Sequence, residues 1–498
     1  MDSSLEEFDV PDRGPLKTFV LILVATWAIS TSCSSVPITE TGGPRGTTRP
    51  SLEVAGSTAT FTPNESSKLE TASTTTSTFA ASSAPETSTN SKAAAGSTPP
   101  ESNVGDSEIP TAAPVSTCEV PDMRVSRIQP YSVGFPLIPG AEGTPATGRT
   151  PIVVLPVDFV DVPGQPADIA RMYEAVALAD EWIRTESNGA LSIDWRVSDR
   201  WIHLPGPSFD YDTPKGEAGY IDKAVAVATE IIGLADSTTN FAGNPFVFFV
   251  FPVTLTEIDT DVGYFDANIT TGEGRVAKFF GGGLFFNVPD PYAGWTKPRD
   301  LWTFWLHEIG HTWGLAGHAP SNLMGSNRLG ADLHLMDNQN GLVYVLSAWD
   351  QFLMGWMKAS EIHCLHVDDV TSFDIALVSL ESPEDGVKSL MIRLDPSRLL
   401  VIESHRPIGY GARLAPHPGG VVAYVVDTSV DNDRSGEGTG EARSRYAEYL
   451  APNNPADSPR SRGQVDPLIT TGGTARFENI TVSVIAFGAI DTVRIERD

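Results

Sequence analysis

Cysteine is scarce, with three in 498 residues. That excludes a disulfide-dense scaffold. Positive charge is scarce too: 34 Lys and Arg stand against 63 Asp and Glu, a formal net charge of -29. Nothing in the chain supplies the basic stripe that neutralises phosphate, so a nucleic-acid partner is excluded. The acidity reads instead as a solvated surface. From Ser34 to Thr117, Trp and Tyr are absent and Phe61 and Phe79 are the only aromatics. Ser, Thr, Ala, Pro and Gly dominate there, and such a segment buries too little apolar surface to offset the entropy of ordering. Residues 34–117 are therefore expected to form a disordered, flexible stalk. What remains, with 41% hydrophobic residues over the whole chain, has the length and composition for two domains.

An apolar run of about 13 residues, Thr18–Ser30, follows Arg13 and Lys17. It has the length of a signal-peptide core and is short for a membrane span. Ser30-Thr31-Ser32-Cys33 comes next and resembles a bacterial lipobox, with Ser30 where a Leu is usual. Residues 1–33 are expected to export the chain and to anchor it to the cell membrane through a lipid on Cys33. A simply cleaved signal and an uncleaved anchor are the alternatives. All three place the protein outside the cytoplasm, as a cell-surface lipoprotein or a secreted protein.

Composition changes after Cys118. Pro151–Asp161 reads as a buried strand, Asp168–Ser187 and Tyr220–Ile232 have helical spacing, Leu191–Leu204 alternates, and FVFFVFPV after Asn244-Pro245 is another core strand. A further strand is expected at Gly283–Val288, and a helix capped by Asp300 follows. Strands alternating with helices predict a sheet with helices packed on it. Beyond Lys358 the helical pattern fades. Ser372–Val378, Val387–Leu394, Leu399–Glu403, Gly420–Val426 and Thr481–Ile485 read as strands. The expected fold class is an α/β (α+β) domain over 118–360, then a β-rich, sandwich-like domain over 361–498.

Chemistry concentrates at residues 307–318, HEIGHTWGLAGH. His307 and His311 are four apart, so on a helix both imidazoles leave one face one turn apart and can share a zinc ion. Glu308 sits where a carboxylate reaches a water on that ion without binding it. Gly314 can end the helix in a left-handed turn and let the chain bring His318 back as a third ligand. Three protein ligands leave a fourth position open, which is a catalytic rather than a structural arrangement.

These residues resemble the zincin metallopeptidases, and among them the metzincins, whose motif is HExxHxxGxxH. His307, Glu308, His311 and Gly314 fall on it. Its third histidine position is Gly317, and His318 follows one residue later; Asp332, His334 and His405 are the other candidates. Ser321–Gly325 looks like the methionine turn of that group, with Met324 beneath the metal. Residues 347–356, SAWDQFLMGW, with 400–406 and 419–427, resemble the immune inhibitor A and gametolysin peptidases. Read from the residues alone, Ser347 and Asp350 form an N-cap pair. The resemblance covers about 151–427 and implies a zincin-like catalytic domain, one catalytic Zn2+, and a protein or peptide substrate. It implies that Glu308 is the general base of peptide hydrolysis, and that a strand near Leu284–Asn287 receives the substrate chain.

With Cys33 lipidated, Cys118 and Cys364 are left to pair in an oxidising compartment. The rival reading is a cysteine switch like that of the matrixins at Cys118–Asp122. Asp431–Gly436 copies the start of a calcium loop, but Ala442 stands where its closing Glu belongs; a solvated loop is expected there, with Ca2+ binding the alternative. His203, His363, His366 and His417 lack ligand spacing. Two other functions fit the same chain: a surface binding module on an inactive protease fold, and a zinc hydrolase of non-peptide substrates.

Overall fold

Every residue of Phe246–Val250 is buried. In a strand, successive side chains point to opposite faces, so both faces of this one must be covered. Phe246, Phe248 and Val250 join one core, and Val247, Phe249 and Phe251 another. The computed structural model describes residues 109–125, 131–139, 143–213, 219–255, 262–282, 300–316, 333–337, 341–430, 446–453 and 467–498. The chain divides into two units; the smaller, residues 31–105, lies outside these ranges, and all described residues belong to the other. Also outside them are Cys33 and the export segment, the expected strand Gly283–Val288, His318, Met324, Asp332 and the Asp431–Gly436 loop.

The first sheet has six strands: β1 (Gly148–Phe159), β2 (Leu191–Val197), β3 (Ile202–Leu204), β4 (Phe246–Val250), β5 (Val262–Thr271) and β6 (Gly274–Gly282). Their order is β2-β1-β4-β6-β5, with β3 paired to the end of β1. β1, β2, β4 and β6 are parallel, and β5 runs antiparallel at the edge. Helices α1 (Pro166–Glu186) and α3 (Leu301–Trp313) share a core with one face of the sheet. Helix α2 (Tyr220–Ala235) shares a core with the other. A capping box starts α1, where Gln165 N–H donates to Asp168 at 2.8 Å.

Beyond a short helix, α4 (Ala348–Leu353), the chain is β-rich. One sheet has the order β12-β11-β10-β9-β7 and the other β13-β14-β15-β8. The first contains β7 (Ile362–His366), β9 (Ser389–Arg393), β10 (Arg398–His405), β11 (Gly420–Asp427) and β12 (Ala447–Tyr449). The second contains β8 (Phe373–Val378), β13 (Thr474–Phe477), β14 (Ile480–Ala486) and β15 (Ile490–Arg497). Leu400 and Ile402 of β10 join Phe373, Val482 and Val493 in a core shared by the two sheets. Leu399 and Val401, on the opposite face of β10, join a core with Leu342, Val343, Val345 and Trp349. That face carries Glu403 and His405 as well, because β10 keeps its period of two.

Cys118 and Cys364 form a disulfide across a sequence separation of 246. It fastens the segment before β1 to β7 and removes Cys118 from any switch role. Among the described residues, no helix is long and apolar enough to cross a membrane.

Candidate metal centre

Helix α3 reads LWTFWLHEIGHTW, mostly apolar, and every one of its residues is buried, His307, Glu308 and His311 included. Asp300 is its N-cap residue in extended conformation, but the expected cap bond from its side chain is not made. The carboxylate instead accepts from the Tyr344 hydroxyl at 2.9 Å, while Thr303 Oγ1 donates to the Asp300 carbonyl. The C-terminus follows the expectation. Gly314 adopts φ of +104°, and Leu315 N–H returns to the Gly310 carbonyl at 3.1 Å. A Cβ at Gly314 would lie 2.7 Å from the Ile138 carbonyl oxygen, so the turn needs glycine for space as well as for φ.

His307 and His311 sit one turn apart with ring centroids 4.9 Å apart and planes nearly perpendicular. Each is held at Nδ1 by a backbone carbonyl: His307 by Leu335 at 2.8 Å, His311 by Leu315 at 3.1 Å. A carbonyl only accepts, so each Nδ1 carries the proton and each neutral ring keeps its lone pair on Nε2. This is how histidine ligands are oriented by their outer partners. The left-handed turn at Gly314 is what carries the Leu315 carbonyl back to His311. Tyr131 stacks on His311 with centroids 5.0 Å apart. Glu308 is buried between the two histidines in sequence. The donor chemistry of the pair therefore suits a borderline cation such as Zn2+.

The carbonyl that holds His307 belongs to residues 333–337. Met336 in that segment packs against Gly310, where a Cβ would come within 2.5 Å of its sulfur. Met324, the methionine expected beneath the metal, lies outside the described residues, and no motif in the sequence marks Met336.

One residue before Leu335 stands His334. Its Nε2 lies 2.7 Å from Glu403 Oε1 and 3.2 Å from His405 Nε2. His405 Nε2 is 3.1 Å from the same carboxylate oxygen. Among the described residues, these three are the one group of His, Cys, Asp or Glu whose donor atoms are close enough to share a metal ion. His334 and His405, candidates from the sequence for the third position at His307 and His311, thus have their donor atoms turned toward each other and Glu403. All three side chains are buried.

Burial opposes charge on His334, but Glu403 and Asp337 outweigh it and hold the imidazole up at about 10. His405 is also raised, against its burial, by Glu381 and Glu403. Burial acts to raise Glu403, yet the two histidines hold it well below the usual carboxylate range. Asp350 of the neighbouring N-cap is pushed up to about 7 by burial, with the Ser347 hydrogen bond opposing.

His203 is exposed and pairs with Asp158 at 2.6 Å. Ser347 Oγ accepts from Asp350 N–H at 3.1 Å, which is the expected N-cap of α4.

Compared with known proteins, the chain matches no family model and no curated protein.

Proposed function

We propose that this protein is an extracytoplasmic zinc-dependent endopeptidase, with His307 and His311 as metal ligands and Glu308 as general base. One observation carries the reading: two imidazoles one turn apart on a buried helix both donate Nδ1–H to backbone carbonyls, leaving both Nε2 atoms basic. A histidine pair serving only as surface polar contacts would not be buried and doubly held in this way. The mostly parallel sheet, its antiparallel edge strand and the motif helix packed on one face support a zincin-like catalytic domain over 118–360. The disulfide is consistent with an oxidising compartment and so with export. In this reading His318 completes the ligand set, Met324 lies in the methionine turn, and Cys33 provides the lipid anchor.

Zinc, when bound, lowers the pKa of a water toward about 7 and polarises the scissile carbonyl. Glu308 takes the proton of the attacking water and hands it to the departing amine, so one carboxylate serves as base and then as acid. The Leu335 and Leu315 carbonyls fix the imidazole tautomers, and Tyr131 limits rotation of His311. Burial of the helix keeps bulk water from competing at Glu308.

The test is digestion of an unstructured protein by the purified full chain, before and after chelation. Cleavage that stops on chelation and returns with stoichiometric Zn2+ supports the reading. Cleavage that survives complete metal removal, or a zinc-loaded chain that cuts nothing on a broad panel, overturns it.

A further inference from the structure

We propose that His334, Glu403 and His405 form a second metal site, a structural one, which takes a divalent cation of the zinc class. The proposal does not depend on the peptidase reading.

Three donor atoms converge: His334 Nε2, His405 Nε2 and Glu403 Oε1, separated by 2.7, 3.1 and 3.2 Å. Two ligands on one zinc ion, with bonds of about 2.0–2.1 Å at the tetrahedral angle, sit roughly 3.3 Å apart. The nitrogen pair meets that spacing. A point about 2.1 Å from all three atoms exists, roughly 1 Å off the plane they define.

The far side of each ligand is occupied as a metal site requires. His405 Nδ1 donates to Glu381 Oε1 at 2.7 Å, and Glu381 Oε2 is itself held by the Arg406 N–H at 3.0 Å. His334 Nδ1 meets the Tyr449 hydroxyl at 2.5 Å, and that hydroxyl also reaches Asp337 at 3.2 Å. Glu403 Oε2 accepts from Ala348 N–H at 2.8 Å and from the Tyr424 hydroxyl at 2.9 Å, so only Oε1 faces the histidines. His405 Nδ1 faces a carboxylate and carries a proton; in the tautomer that protonates His334 Nδ1 as well, neutral rings present two lone pairs toward a carboxylate oxygen. Three such acceptors this close need a cation or a shared proton among them, and the donor set is one that a metal cation fits. The competing arrangement is a shared proton: one Nε2–H of His334 or His405 donates to Glu403 Oε1, and the ion count below separates that arrangement from a bound cation.

Two nitrogens and one oxygen are a donor set for Zn2+ or its neighbours rather than for Ca2+ or Mg2+. The three side chains have at most 1% exposure, which points to a structural ion and not a second reaction centre. Its place gives it a task. It would tie β10 to the 333–337 segment, whose next residue, Leu335, holds His307.

The experiment counts ions per chain after metal-free full-length protein is loaded with Zn2+ and freed of excess, with Co2+ spectra as a second readout. The native chain is expected to keep two ions. The H307Q/H311Q chain is expected to keep one, with the Co2+ spectrum of a four-coordinate nitrogen and oxygen site. Adding His405→Gln to that background removes it. A folded H307Q/H311Q chain that keeps no ion overturns the proposal and assigns the cluster to shared protons. If His405→Gln fails to fold, the count on H307Q/H311Q still decides. Peptide cleavage tests the other reading separately, so the two can fail independently.

Discussion

Glu186 is the residue where burial and charge conflict most plainly. It ends α1, is buried, and receives one hydrogen bond from Gln351 Nε2 at 3.3 Å. Burial pushes its carboxyl up to about 8; Lys388 pulls the other way and Glu381 adds to the rise. The folded pKa lies above the unfolded one, so the neutral form favours folding. That contribution is whole below about 4.5 and is lost as the pH climbs through about 8. Glu186→Gln keeps the shape and abolishes the titration. The variant should gain stability relative to the native chain as pH rises from 5 to 8.5, by a few kcal/mol in urea unfolding. A difference that stays constant over that range contradicts the assignment. His307, Glu308 and His311 were legible in the sequence because their relation is local, a single helical turn. Glu403 and His405 were not legible as partners of His334, because the β10 fold brings them across about 70 residues and no spacing rule spans that distance.

The elements divide in the same way. β4 and the helices declared themselves through periodicity, and α4 through its N-cap. β15 did not, because its inward row includes Asp491, which is buried against Ser404 at 2.6 Å and paired with Arg406. A charged residue in a core row breaks the alternation that marks a strand. At α3 the turn at Gly314 is the element on which the site depends. Gly314→Ala forces a Cβ onto the Ile138 carbonyl at positive φ. The expected cost is roughly 1–3 kcal/mol, with weaker metal retention because the Leu315 carbonyl no longer meets His311. Thermal unfolding and metal content measured together check this. Unchanged values for both would show that the turn positions nothing.

On the scale of the whole molecule, the Cys118–Cys364 disulfide ties the segment before β1 to β7 of the β-rich part. Within the α/β part, Trp356 packs edge-on against Trp182 and Trp313, at 6.0 and 5.3 Å between centroids. The disulfide closes a loop of 246 positions, long enough to restrict the unfolded chain strongly. The C118S/C364S variant should lose about 2–4 kcal/mol of stability, read from the denaturant midpoint, with its metal content per folded chain unchanged. A loss of activity at full stability would instead restore a direct role for Cys118 at the metal.

The central claim rests on Glu308. Native and Glu308→Gln full chains, each shown to carry the same metal content, are compared for cleavage of one unstructured protein substrate. Removing a general base while leaving the ligands in place should lower the rate by about 10²–10⁴-fold with metal binding intact. A Glu308→Gln chain that cleaves at the native rate would contradict the account.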